Sequence, residues 1–341
     1  SGASSLADIT RLDASIADAY NAPGYWSALT VRGFVLDNRF NFQRDGLAIN
    51  AETAISLENK ERIEVLKGTS GAQAGTSSPG GLANFVVKRP RGMDQAQVLI
   101  GWTDRGSIKA AADIERRLGE GDTGGLRLNA AVESLDPLTR GTRGERQLLA
   151  AAVRAKLGPG TLDGEIEWSH QSQPSVPAFS LLGSRLPPAA DIDPRTNLNN
   201  QRWSLPVVFD GTTASLRWTQ PLQTGWQLVA HAMSQQLRTD DRIAFPFGCS
   251  AEEAYDRYCS DGSMDLYDFR SEGEHRQTTA GALTLNGRFQ LSSMANEFST
   301  GLSWSQYNAR LGRQAFNWAG VGQIDGSVQV DAQPDLTDEN T

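Results

Sequence analysis

Three carboxylates at alternate positions, Asp163, Glu165 and Glu167, are the first candidates for chemistry in this 341-residue chain. Paired acids are what glycoside hydrolysis requires, one as proton donor and one as nucleophile or base. Spacing at every second residue puts all three on one face of an extended strand, where a charged lining is the simpler reading. His170, His231 and His275 are far apart and lack the short spacings that collect a metal. Residues 68–81 are rich in Gly, Ser, Thr and Ala but lack the Gly-Lys-Ser/Thr ending that serves phosphate and magnesium. No Ser/His/Asp grouping stands out. The residues indicate no enzyme, no metal site and no cofactor.

The remaining reactive pair is Cys249 and Cys259, the only cysteines. In an oxidising compartment their spacing allows a loop-closing disulfide, with two unrelated thiols as the alternative. A net charge of -8 argues against a general nucleic-acid binder. The chain has no run of about 18 apolar residues for a membrane helix. A membrane β-barrel stays open, because its lipid face takes only every second residue. No signal peptide precedes Ser1, and the chain starts inside what reads as a domain, so a processed or truncated product is expected.

The elements that must position these residues change character near residue 95. Before it, Leu6, Ile9, Leu12 and Ile16 recur at helical spacing and predict a short amphipathic helix over 5–19. Residues 29–34 read as a strand, and Asp45-Gly46 as a turn between short β-prone runs. After it the period is two. Leu126, Leu128, Ala130 and Val132 share a face opposite Arg127, Asn129 and Glu133. Leu162, Gly164, Ile166 and Trp168 oppose the three carboxylates, Ser169 and Gln171, and Phe298, Thr300, Leu302 and Trp304 oppose serines and Gly301.

About nine such segments are predicted, near 95–104, 108–118, 126–134, 145–157, 162–172, 212–220, 226–238, 274–290 and 295–310. Links near 119–125, 158–161, 221–225 and 291–294 are short. Those near 173–211 and 239–273, and the segment after 310, are long and polar. Tight turns at one end and loops at the other are what a barrel requires, whereas a soluble sandwich has no reason to sort its links so. Trp102, Trp168, Trp218, Trp226 and Trp304 lie on or near strand ends, where indole rings suit a membrane interface. On such a wall the three carboxylates line a hydrated lumen or contact a plug. The long loops, with Phe179, Trp203, Phe245, Phe247, Tyr255 and Tyr258, are candidate lids or binding surfaces.

Val31-Arg32-Gly33-Phe34, Arg44-Asp45-Gly46, residues 62–68, Gly75, Pro79-Gly80-Gly81, Asn84 and Lys88-Arg89-Pro90 occur in an order that resembles the plug of TonB-dependent siderophore receptors. The resemblance is strong over about 30–90, and the later strands match the family's barrel in layout. It implies an N-terminal α+β plug over 1–94, followed over 95–341 by part of an all-β outer-membrane barrel. The family's barrel has about 22 antiparallel strands, so about nine cannot close around a plug, and their edges would expose unpaired backbone to lipid. The chain is therefore expected to be part of a longer receptor.

The resemblance also implies roles. Plug apices that help bind ligand fall, by position, at Tyr20, Asn21, Tyr25 and Trp26, at Asp37, Asn38 and Arg39, and at Asn50, Glu52 and Thr53. Arg32 and Lys67 sit where plug cations of the family pair with barrel carboxylates on later strands. The implied partners are a ferric siderophore, TonB acting through a segment before residue 1, and outer-membrane lipid, in a monomer that binds no nucleic acid. Alternatives are a receptor for haem or cobalamin, a receptor that also signals, a passive porin, and a secreted β-rich carbohydrate-binding or hydrolytic protein.

Overall fold

The computed structural model describes residues 6–20, 22–68, 79–103, 106–119, 123–190, 192–222 and 225–333, with Tyr20 described by its backbone alone. Asn21 and the glycine-rich stretch 69–78 lie outside the described residues.

Two small sheets come first. β1 (Ile16–Tyr20), β2 (Ala28–Val31) and β3 (Phe34–Val35) form one, in that order. β4 (Phe42–Arg44), β5 (Leu47–Ile49), β6 (Lys60–Lys67) and β7 (Gly81–Val87) form the other, in the order β5-β4-β7-β6, with β4 parallel to β7. The predicted Asp45-Gly46 turn joins β4 to β5; both residues have positive φ, 49° and 84°, as a tight hairpin turn requires. Leu29, Val31, Leu36, Phe42, Ala83 and Phe85 are buried in one core, with the Phe42 and Phe85 rings stacked at 6.4 Å.

The helix predicted over 5–19 is corrected to a 3-10 turn, Leu6–Arg11, followed by β1. Leu6, Ile9 and Ile16 are buried as their spacing requires, but Leu12 is exposed. Asp13 ends the turn: its Oδ1 accepts hydrogen bonds from the Ser15 amide and hydroxyl at 3.0 and 2.7 Å. Such local bonding competes with helix, and the ladder to β2 then takes the chain as strand.

From Gln95 onward one antiparallel sheet runs in chain order. Its strands are β8 (Gln95–Trp102), β9 (Ile108–Arg117), β10 (Gly124–Leu135), β11 (Gly144–Leu157) and β12 (Gly160–Gln173). They continue as β13 (Val207–Pro221), β14 (Trp226–Pro246), β15 (Ser263–Leu291), β16 (Met294–Arg310) and β17 (Gln314–Gln323). β16 pairs residues 275–291 of β15, and β17 pairs 263–271 further along the same edge, so β17 continues β16 after a break. The sheet is thus nine strands wide, as the periodicity predicts, with a tenth segment that it missed.

The link placed at 239–273 is corrected too. β14 and β15 extend through most of it, leaving only 247–262 as loop. Asp240, Asp241 and Arg242 interrupt the alternation there because the ladder shifts register between Thr239 and Asp241.

The sheet is inside out by the standard of a water-soluble protein. On β12, Asp163, Glu165 and Glu167 are buried against the small sheets, while Ile166 is 54% exposed on the other face. Its neighbours repeat the arrangement: Arg127, Asn129 and Arg146 are buried, and Val132 and Leu149 are 57% and 58% exposed. An apolar outer band around a polar, filled interior is the arrangement of a membrane barrel wall with a plug on its concave side. Among the described residues no helix is long and apolar enough to cross a membrane.

Candidate functional site

Plug and wall meet through a buried charge cluster. Arg44, at the end of β4, places Nε 2.7 Å from Glu165 Oε1 and Nη2 2.8 Å from Glu167 Oε2. Lys60, opening β6, places Nζ 2.6 Å from the same Glu167 oxygen, and Asn59 donates to it as well. Burial works to lower the basicity of Arg44, but the charges of Glu167 and Glu165 outweigh it and hold the guanidinium above its ordinary range. Burial and the charge of Arg44 push the Lys60 ammonium down, partly offset by Glu167. Two cations against two carboxylates, all desolvated, make an arrangement costly to open on either side.

A strap of contacts extends it along the wall. Lys88 Nζ lies 2.8 Å from Asp113 Oδ2, which also pairs with Arg127. The Arg89 and Pro90 carbonyls accept from Arg127 and Arg154 at 3.1 and 3.0 Å. Arg89 itself pairs with Asp45 at 2.6 Å. Burial would raise the Asp45 carboxyl, but the Arg89 hydrogen bond and charge bring it below its ordinary value.

Just before β6, Glu58 holds Arg146 at 2.7 Å and Lys109 at 3.2 Å, and Arg146 reaches on to Glu133 at 2.5 Å. Burial raises the Glu58 carboxyl, but the hydrogen bond and charge of Arg146 prevail and lower it from 4.5 to about 2. A group depressed in the docked state contributes stability that is present above its ordinary value and lost as pH falls toward the docked one. Plug docking is therefore expected to weaken between about pH 4.5 and 2. The loss from this group is about 3 kcal/mol and is abolished in Glu58→Gln, as acid titration of melting temperature would read.

The apices named as ligand contacts lie in the segments that flank β2, β3 and β5. Tyr25 and Trp26 are half-buried, with ring centroids 4.0 Å apart, and Trp26 lies 6.2 Å from Phe209 of the wall. Asn38 is buried, donating to the Ser27 and Ala51 carbonyls at 2.8 and 3.0 Å. Asn50 is buried, exchanging backbone bonds with the Gln235 amide at 2.9 and 3.1 Å, and Thr53 is buried beside it. Arg39 is exposed, pairs with Asp37 at 2.8 Å and lies over the Phe40 ring. Glu52 pairs with Arg276 of β15 at 2.7 Å. Accessible surface on these apices thus comes from Arg39 and the edges of Tyr25, Trp26, Asp37 and Glu52. The Tyr20 side chain and Asn21 lie outside the described residues. A cavity of about 320 Å³ runs below Tyr25, between the plug and Glu133, Arg146, Gln171 and Gln173 of the wall.

Lys67 pairs with Asp13 of the plug at 2.6 Å, and Arg32 is exposed on a turn of positive φ. The described cations that meet the wall are instead Arg44, Lys60 and Lys88. In the sequence Arg44 and Lys88 stand out only as parts of motifs, and Lys60 does not stand out at all. The clue was the other half of the pair, the acidic face of β12.

The cysteines form the disulfide, with Cα atoms 5.1 Å apart, in the loop between β14 and β15. That loop packs on its neighbours: Tyr258 and Leu198 share an apolar cluster with Phe179, Leu182, Ile324 and Val330. Cys249→Ser with Cys259→Ser is expected to cost the loop about 2–3 kcal/mol. Limited proteolysis should then cut within 250–262 faster in the variant than in the wild type.

Residues 1–82 match the family described as TonB-dependent Receptor Plug Domain. The catecholate siderophore receptor Fiu of Escherichia coli (strain K12) is 32% identical over 136 residues, which are 38% of this chain and 17% of that receptor. The ferrichrome receptor FcuA of Yersinia enterocolitica is 30% identical over 135 residues, 37% of this chain and 17% of that receptor. In structure, the ferric preacinetobactin receptor BauA of Acinetobacter baumannii superposes with a TM-score of 0.82 at 17% identity, over 98% of this chain and 50% of that one. The chain thus spans about half the length of the solved receptor it matches, and less of the curated relatives.

Proposed function

We propose that this chain, the plug of a TonB-dependent receptor joined to the first part of its outer-membrane barrel, belongs to a receptor that binds ferric siderophores and imports them with energy from TonB. Residues 1–94 act as the plug and 95–341 as the first part of the wall. The observation that carries this is the polarity of the wall: its charged face is buried on a plug and its apolar face is turned out. A porin needs no separate folded plug, and a secreted carbohydrate-binding protein would not turn Ile166 and Leu149 outward.

In this reading the ligand enters on the side of the long loops and meets the apices around Tyr25, Trp26 and Arg39. Binding above the plug and traction from the inner membrane rearrange it to open a path; no covalent chemistry is needed. Arg32 and Lys67 are proposed to meet carboxylates on strands that follow this part of the wall, and the exposure of Arg32 supports that role. The test is tryptophan quenching of the full-length receptor in detergent across a panel of ferric siderophores. Saturable quenching by at least one ferric complex is expected; binding of haem or cobalamin alone would overturn the ligand class.

A further inference from the structure

Asp241 is a buried acid that none of these contacts uses. It is 4% exposed, and its Oδ1 accepts no hydrogen bond among the described residues. The charge that acts on it is that of another carboxylate, Glu274. An ionised carboxylate buried without a partner is strongly unfavourable, so a positive charge or a proton must complete it. A strand crosses a bilayer in about 9–11 residues. Asp241 stands well beyond that span from Trp226, in the part of β14 that projects toward the long loops.

Oxygen donors converge on it from three strands. Ladder pairing sets Asp241 of β14, Ser271 of β15 and Gln314 of β17 in one row, with the Thr239–Glu274 pair next to it on the same inner face. The Ser271 hydroxyl donates to Glu274 Oε1, and Gln314 Nε2 donates to that hydroxyl at 2.7 Å and to Glu274 at 3.3 Å. The Gln314 amide oxygen remains as a further ligand. Glu274 and Glu52 share Arg276, at 2.6 and 2.7 Å. With Asp241 that makes three carboxylates to one guanidinium, an excess of two negative charges. The other cations nearby lie on the opposite face, where Asp268 holds Arg242 and Arg270 at 3.3 and 2.6 Å and Asp240 holds Arg238 at 3.1 Å. Asp241 and Glu274, at 4% and 6% exposure, are covered by this chain itself, which leaves no face open to side chains from following strands.

We propose that Asp241, Glu274, Ser271 and Gln314 form a site for one hard divalent cation with the size and oxygen preference of calcium. They supply four of the roughly six to eight oxygens that calcium takes, and water and backbone carbonyls supply the rest. The ion ties β14, β15 and β17 together where the ladder shifts register. Through Glu274, Arg276 and Glu52 it also steadies the plug apex on the wall. The test strips the full-length receptor in detergent with a chelator, then adds calcium chloride and reads melting temperature and calcium bound at equilibrium dialysis. Wild type is expected to bind one ion more than Asp241→Asn, with a Kd of about 0.1–1 mM, and to melt higher once it is bound. Glu274→Gln should weaken that ion at least about tenfold, whereas Asp256→Asn, at an exposed acid, should leave it unchanged. Asp241→Asn should itself raise the melting temperature of the stripped receptor, since it removes a charge without a partner, and should abolish the rise that calcium gives. Equal calcium binding by wild type and Asp241→Asn overturns the site. So does a stripped Asp241→Asn receptor that melts below wild type, because Asp241 would then have a partner of its own. Either result leaves the siderophore reading standing.

Discussion

Replacing Arg44 with methionine is expected to weaken plug docking by about 3–5 kcal/mol, the cost of leaving a buried carboxylate pair short of one cation. Lys60 stays with Glu167, but Glu165 loses the guanidinium that holds it at 2.7 Å. The loss should appear as a lower melting temperature of the full-length receptor and faster proteolysis of the plug. The second substitution discriminates. Arg44→Met with Glu165→Leu removes both partners and should recover most of the loss, because an apolar pair of similar volume replaces the ion pair. Arg39→Ala, which breaks an exposed pair, should cost less than about 1 kcal/mol. An unchanged melting temperature in Arg44→Met would show that the cluster does not hold the plug.

Gly81→Ala is the other large effect. Gly81 opens β7 at φ +116°, and a Cβ there would lie 1.7 Å from the Leu66 carbonyl oxygen across the hairpin. That oxygen belongs to the β6 backbone and cannot move aside without breaking the β6–β7 ladder. Strain and clash together should cost about 3 kcal/mol or more and leave a plug that does not pack on the wall. Gly46→Ala separates the two causes. Its φ is +84°, but nothing stands within 4 Å of the added carbon, so only backbone strain of about 1 kcal/mol applies. Thermal melts of the two variants should differ accordingly; equal melts would mean that the clash relaxes.

The two halves of the molecule were legible in the sequence for different reasons. Alternation from 126 to 133 and from 162 to 171 set strand and shared faces, because side chains in a strand have no third direction. It could not say which face meets water. The sorting of short and long links turned the acidic face inward, and the burial of Glu165 and Glu167 beside an exposed Ile166 agrees with it. The extension of β14 stayed hidden because Asp240, Asp241 and Arg242 stand in succession at a bulge, where the period of two fails. β17 was invisible because it starts with Gln314 and Ala315 after a break and carries apolar side chains on both faces. Arg44 was legible only as part of a turn motif, since its partners lie 121 and 123 positions away in the chain. The apices illustrate the limit from the other side: Asn38 and Asn50 sit where ligand contacts are expected, yet the Asn38 side-chain amide is consumed by the Ser27 and Ala51 carbonyls, and the Asn50 side chain by Glu52 while Gln235 holds its backbone.

The buried cluster also bears on ancestry. Glu165 and Glu167 are tolerable on the wall only while Arg44 and Lys60 cover them, and each cation is tolerable in the plug only opposite an acid. A substitution on one side is harmful until the other side changes. A plug transplanted onto a different wall would arrive with its cations unmatched. These two segments should therefore be inherited as one unit, while the outer loops, free of that constraint, diverge with the cargo.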